Sequence, residues 1–221
     1  MKSLNHVAFI MDGNGRWGLK KGRGRNFGHL KGVETVKTIV KSSIKLNIQY
    51  ISFYVFSSEN WKRPKKEINF LFKLIKDYFN KEIGNIIKQG IRINIIGELN
   101  KLSPEIKSTL IKTVNLTKYN KKVFVNLAIN YGSKNEILNS AKKTKIFNIK
   151  NFEKNLLTKN IPDPEILIRT GGHKRLSNFM LWQLAYTELF FLKKLWPDFN
   201  TKDLVQIIKK YKNIKRNYGE I

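Results

Sequence analysis

The sequence predicts a single α/β domain: a mostly parallel, six-stranded sheet with surrounding helices. Three observations lead there. Short apolar runs without polar alternation recur between stretches of helical periodicity, as expected of strands buried on both faces and joined by crossover helices. Several of these runs end in glycine-rich or hydroxyl-rich polar turns, the places where ligands gather in open sheets. The 221 residues suffice for one substantial core, and no repeat or linker divides 1–221 into more than one domain.

The first strand is Val7-Ala8-Phe9-Ile10-Met11, and it runs into Asp12-Gly13-Asn14-Gly15-Arg16. Two glycines let the backbone bend close to a ligand, and the N–H groups opening a following helix favour an anion. The turn reads as a phosphate cradle. A carboxylate at Asp12 would repel that phosphate unless a cation lay between them, which implies Mg²⁺, an ion held by one or two carboxylates plus substrate oxygens. The plainer alternative is that Asp12 caps a helix or braces the turn. Residues 13–18 also fit G-x-G-x-x-G, but the acidic residue required about twenty positions on falls near Lys37, inside a helical pattern. Dinucleotide binding is therefore the weaker reading.

A basic, glycine-rich loop at 20–25 is placed to close over the same phosphates, and His29 opens a helix over 29–46 with Val33, Val36, Ile39, Val40 and Ile44 at helical spacing. The second strand, 50–56, leads into Ser57-Ser58-Glu59-Asn60-Trp61-Lys62-Arg63-Pro64. Polar residues after the first two strands would face one crevice. Residues 67–89 form a long helix of unusual apolar breadth, either a core helix or one whose second face lines an apolar tunnel. A third strand spans 91–96, a helix starts at Ser103-Pro104, a fourth strand spans 123–129 and a helix covers 133–145. Residues 146–160 are polar, basic and weakly patterned, and no conformation is assigned to them. The fifth strand, 166–168, runs into Arg169-Thr170-Gly171-Gly172-His173-Lys174-Arg175-Leu176-Ser177-Asn178, a second turn suited to an oxyanion. An apolar helix over 179–185, a sixth strand over 188–192 and a last helix after Trp196-Pro197-Asp198-Phe199 complete the chain.

Composition narrows the function. No cysteine is present, which excludes disulfides and thiolate metal sites. No apolar run is long enough to cross a bilayer and no leader is visible, so a soluble, cytoplasmic protein is expected. The 43 Lys and Arg against 16 Asp and Glu give a net charge of +27, which at face value suits nucleic acid or an anionic membrane. Lysine, isoleucine and asparagine dominate together, however, and their A/T-rich codons account for much of that excess. Arginine is the rarer choice here. Arg16, Arg25, Arg63, Arg169 and Arg175 all fall in the three stretches singled out for chemistry, and guanidinium forks bind phosphate bidentately.

Taken together, HVAFIMDGNGRW, FSSENWKRP and IRTGGHKRLSNFMLWQLAYTELFF followed by LWPDF resemble the cis-prenyltransferase family, in particular its bacterial undecaprenyl-forming branch. The resemblance spans nearly the whole chain. It implies a Mg²⁺-dependent homodimer that condenses isopentenyl diphosphate onto an allylic diphosphate such as farnesyl diphosphate, with cis double bonds. The product would be a long polyprenyl diphosphate, precursor of a cell-wall carrier lipid. By the same resemblance Asp12 is the metal-linked acid, and Gly13, Asn14, Gly15, Arg16, Trp17, Arg25 and His29 hold the allylic diphosphate. Ser57, Ser58, Glu59, Asn60, Trp61 and Arg63 belong to the loop that positions the reacting ends, with Asn60 assigned to catalysis beside Asp12. Arg169, Arg175 and Ser177 hold the isopentenyl diphosphate, and Glu188 is a second metal-associated acid near the dimer contact.

Fixed cations would stabilise the charge building on the departing diphosphate, and a second anion site would position the attacking double bond. Ser57, Asn60 and a diphosphate oxygen all stay open as routes for the lost proton. His173 stands where the family usually has Glu, and Asn217 where its tail has Arg. No two aspartates are adjacent, so the paired acidic motifs of trans-prenyltransferases are missing. The alternatives are a non-catalytic regulatory subunit of the same fold and a basic nucleic-acid-binding protein. The leading reading expects no nucleic acid, and leaves peripheral contact with the inner face of a membrane open.

Overall fold

The computed structural model of the chain describes residues 4–215. In chain order its regular elements are β1 (His6–Ile10), α1 (Asn14–Lys20), α2 (Gly24–Lys45), β2 (Tyr50–Ser57), α3 (Lys65–Lys88), β3 (Ile91–Ile96), α4 (Pro104–Thr117), β4 (Val123–Tyr131), α5 (Ser133–Lys143), α6 (Ile149–Glu153), β5 (Ile166–Arg169), β6 (Glu188–Phe191) and α7 (Thr201–Lys212). The strands lie in the order β3-β4-β2-β1-β5-β6, and every pairing is parallel.

β1 has no polar alternation because both of its faces are covered. Val7 and Phe9 point to one face with Phe53, Leu127, Ile129 and Ile168, under apolar residues of α2, α3, α4 and α7. Ala8 and Ile10 point to the other with Ala128, Tyr131 and Leu167, beneath Phe179, Met180 and Leu184. β1 pairs with β2 on one side and β5 on the other, with Ile10 opposite both Tyr54 and Arg169. From β1 the chain moves outward through β2 to β3 and β4, then crosses back from β4 to β5 on the other side of β1, and a crevice opens beyond the carboxyl ends of β1, β2 and β5.

Several expectations change. The basic loop at 20–25 shrinks, because α1 continues to Lys20 and α2 already begins at Gly24. The two helices meet backbone to backbone: a Cβ at Gly28 would run into the carbonyl of Asn14. Residues 146–160 contain the short helix α6, whose N-cap Asn148 accepts from Asn151 N at 2.9 Å. The helix expected over 179–185 does not form. Ser177, Asn178 and Met180 have left-handed φ values of 52°, 64° and 47°, which break any helical repeat, and the segment folds as successive turns. Its apolar residues plug the second core, a demand that burial makes without helical spacing. No helix among the described residues is long and apolar enough to cross a membrane. The departure at Asn217, within the 216–219 tail, lies outside the described residues.

Candidate active site

A cavity of about 400 Å³ sits in the crevice, lined by Asp12, Gly13, Asn14, Gly15, Arg16, Arg25, His29, Ser57, Asn60, Arg63, Arg169, His173, Arg175 and Ser177, with Tyr54 and Leu71. All five arginines singled out in the sequence converge on it, and Asp12 is the sole carboxylate among the lining residues. The lining therefore carries a net positive charge, which attracts anions.

Asp12 stands between two guanidinium groups. Its Oδ1 accepts from Arg16 Nη2 at 2.9 Å and its Oδ2 from Arg169 Nη2 at 3.0 Å. Arg16 Nη2 also donates to the carbonyl of Gly171 at 2.8 Å, and Thr170 Oγ1 to that of Asp12 at 2.7 Å, so the turns after β1 and β5 are tied together. Arg169 is 4% exposed; its Nη1 donates to Ser177 Oγ at 2.7 Å and to the Arg175 carbonyl. The backbone here leaves no room for a side chain: Gly171 has a φ of +89°, and a Cβ on it would stand 2.5 Å from Arg16 Nη2 and 2.9 Å from Asp12 Cγ.

A second cluster, around Arg25, His29 and Arg63, also lines the cavity. Glu67 accepts from Arg25 Nε and Nη2, each at 3.1 Å, and from Arg63 Nη1 at 3.2 Å. Burial acts to raise the Glu67 carboxyl pKa, but the hydrogen bond and charge of Arg25, with the charge of Arg63, outweigh it and the net shift is downward. His29 Nε2 lies 3.5 Å from Glu67 Oε1, too far for a good hydrogen bond. Burial lowers the imidazole to about 4 despite the Glu67 charge, so His29 is neutral at pH 7. Buried atoms without a hydrogen-bond partner include Arg169 Nε, His29 Nε2 and Asn14 Oδ1, all on residues that line the cavity. Unmatched buried polar atoms are costly, and a ligand rich in phosphate oxygens can satisfy the donors among them.

Beside this polar chamber lies an apolar one of about 130 Å³, walled by Val33, Val36, Leu74, Ile75, Tyr78, Phe79, Leu127 and Ile129. The two share Met11, Asn14, His29, Val55 and Leu71, so charge gives way to hydrocarbon across a single wall.

Other residues expected at the site lie elsewhere. Trp17 turns its indole away, donating to Asp198 Oδ1 at 2.7 Å and stacking on Phe27. Trp61 packs on Phe56 and Phe72 and donates to Asn130 Oδ1 at 2.8 Å, anchoring the loop after β2 to the core. Glu59 accepts from Asn178 Nδ2 at 2.8 Å, and Ser58 faces Gly132; neither lines the cavity. Glu188 opens β6 opposite Ile166, three positions before the pair Arg169 and Phe191, which is about 10 Å along the strand. Sequence reasoning missed Tyr54 and Glu67. Tyr54 sits inside an apolar strand, and its hydroxyl stands 3.2 Å from the carbonyl oxygens of both Tyr131 and Ser177. Glu67 was signalled only by its i,i+4 spacing from Arg63.

Among the described residues no three His, Cys, Asp or Glu side chains cluster into a metal cage. The single carboxylate of Asp12 suits Mg²⁺, which keeps waters and takes substrate phosphates for most of its ligands.

Comparison with known proteins decides the family. The family model of undecaprenyl diphosphate synthases matches residues 10–219. The chain belongs to that prenyltransferase family. It is 43% identical to an isoprenyl transferase of Oceanobacillus iheyensis over 98% of its own length and 90% of the relative's. To the (2E,6E)-farnesyl-diphosphate-specific ditrans,polycis-undecaprenyl-diphosphate synthase of Micrococcus luteus it is 40% identical, over 97% and 90%. The lavandulyl diphosphate synthase of Lavandula x intermedia, solved with dimethylallyl diphosphate, superposes with a TM-score of 0.93 at 32% identity, covering 98% of both chains. A Campylobacter jejuni structure described as an undecaprenyl diphosphate synthase gives 0.86 at 33% identity over the full length of both. The isoprenyl transferase fold expected from the resemblance is thus the one observed, with all strands parallel rather than most.

Proposed function

We propose that this isoprenyl transferase condenses isopentenyl diphosphate onto farnesyl diphosphate with cis geometry, giving a long polyprenyl diphosphate that serves as a cell-wall carrier lipid precursor. The observation that carries the reading is the five-arginine cavity that shares a wall with an apolar chamber. Arg25, His29 and the turn at 13–16 hold the allylic diphosphate, while Arg169, Arg175 and Ser177 hold the isopentenyl diphosphate. Asn60, fixed by Ser57 N donating to its Oδ1 at 3.0 Å, stands between the two ends with Ser57. The growing chain enters the hydrocarbon walls of α2, α3 and β4.

Breaking the allylic C–O bond puts charge on the leaving diphosphate, and guanidinium groups already fixed by Asp12 and Glu67 stabilise it with little reorganisation. Mg²⁺ held by Asp12 and substrate oxygens would supply further neutralisation. Holding both diphosphates in one cavity makes the carbon–carbon step effectively unimolecular. Glu188 and an exposed Leu189 lie on the edge strand β6, which suits pairing of two copies there in the cytoplasm.

The test is incubation of the purified chain with Mg²⁺, farnesyl diphosphate and isopentenyl diphosphate, followed by mass analysis. The expected product is a series growing by five-carbon units, with Asp12→Ala reducing turnover by at least about 100-fold. No condensation beside an active control would overturn the proposal and favour a non-catalytic subunit.

A further inference from the structure

The turn joining α5 to α6 inverts the usual arrangement of a surface loop. Ile146, Phe147 and Ile149 are 70%, 75% and 67% exposed, while Thr144 just before them is buried. The polar side chains are engaged within the turn. Thr144 Oγ1 donates to the Ser140 carbonyl at 2.8 Å and accepts from Asn155 Nδ2 at 3.1 Å. Asn151 Nδ2 donates to the Ile146 carbonyl at 3.2 Å, and Asn148 caps α6. The backbone is therefore pinned on both sides of the tip, and the three apolar side chains are held outward at positions where the core makes no use of them.

The rim is cationic. Lys142, Lys143, Lys145 and Lys150 surround the tip and are all exposed. Between 142 and 154 the only acid is Glu153, whose carboxylate accepts from Trp182 Nε1 at 3.2 Å. Scattered exposed apolar residues are ordinary on a protein surface, but three within four positions on a fixed turn are not. The lysines select the occupant. Protein interfaces are depleted in lysine, whereas apolar tips ringed by lysine match the headgroup boundary of an anionic bilayer, where each cation near the surface adds to binding. The chain's net charge of +27 attracts it to the same surface.

We propose that the turn over 142–150 docks this chain on an anionic lipid bilayer, with Ile146, Phe147 and Ile149 entering between headgroups and the four lysines lying against lipid phosphates. The proposal rests on the turn's own residues and not on the reaction assigned above. The site occupies the second face of the sheet, that of α5 and Tyr131, whereas the apolar chamber lies on the first. Docking there leaves the active-site residues uninvolved.

The test is sedimentation of the full chain with vesicles of phosphatidylcholine alone or with about one-third phosphatidylglycerol, at low and high salt. Two variants accompany the native chain: Ile146→Ser with Phe147→Ser and Ile149→Ser, and a second with the four lysines changed to Gln. The native chain should partition onto the phosphatidylglycerol vesicles and leave them at high salt, and each variant should bind at least about tenfold more weakly. Circular dichroism establishes that the variants fold, and the readout needs no substrate. Native partitioning that ignores phosphatidylglycerol, or undiminished binding of the serine variant, would overturn the proposal. So would a serine variant whose mass in solution falls by half, which would make the turn a contact between copies.

Discussion

Arg169 Nη2 and Asp12 Oδ2 lie 3.0 Å apart although 157 positions separate them in sequence. Parallel pairing of β1 with β5 sets Ile10 opposite Arg169, so one strand delivers a buried cation to the carboxylate that follows the other. The same guanidinium reaches Ser177 and the Arg175 carbonyl, a three-way fork that an ammonium cannot reproduce. Arg169→Lys should therefore keep the charge and lose the geometry. Steady-state kinetics should show kcat/KM lower by about 10- to 100-fold, and an unchanged value would remove Arg169 from the site.

Glu67 already engages two of the cations proposed to meet substrate. Its carboxylate accepts from Arg25 and Arg63 at 3.1 and 3.2 Å, so in the proposed binding mode it and the diphosphate share them. Glu67→Gln removes a like charge facing the anion. Calorimetric titration with inorganic pyrophosphate should show binding several-fold tighter, roughly 1 kcal/mol. Weaker binding would mean that Glu67 serves chiefly to hold the arginines in place.

Two histidines link stability to pH. His6 is wholly buried, with Nδ1 2.6 Å from the Pro162 carbonyl and Nε2 2.8 Å from Ser52 Oγ, and desolvation lowers its pKa to about 4, as it does for His29. Below pH 6.5 the unfolded imidazoles take up protons that the folded ones refuse until about 4. Stability is thus complete above 6.5 and falls as the pH drops towards 4, by about 3 kcal/mol per imidazole at the limit. Urea unfolding between pH 7 and 5 should show this loss. His6→Gln should lower stability at pH 7 and flatten the slope, and a slope as steep as the native one would contradict the assignment.

Gly171→Ala places a methyl against Arg16 Nη2 and Asp12 at a φ of +89°. The strain should cost about 1–3 kcal/mol and displace the Asp12 pair. Loss of turnover should exceed the loss of stability seen in thermal unfolding, whereas full activity would show that the pair has room to shift.

The strands, and the two turns whose arginines converge on one cavity, were legible because parallel strands buried on both faces carry continuous apolar runs, and because arginine is scarce in so lysine-rich a chain. Glu67 was not, since its partner Arg25 lies 42 positions away and a helix pattern does not display such pairings. Residues 179–185 misled because their apolar weight reflects a core to be filled, which turns accomplish as well as a helix. Trp17 and Trp61 shared motifs with cavity residues but point to Asp198 and Asn130, and adjacency in sequence does not fix side-chain direction.

The proposed reaction requires two diphosphates to occupy one cavity together. A calorimetric titration of isopentenyl diphosphate into the chain already saturated with an unreactive thio-analogue of farnesyl diphosphate and Mg²⁺ measures this. One further equivalent should bind in the native chain, weakened by Arg169→Lys but not by Arg25→Lys. Mutual exclusion of the two ligands would show that the cavity holds only one diphosphate at a time.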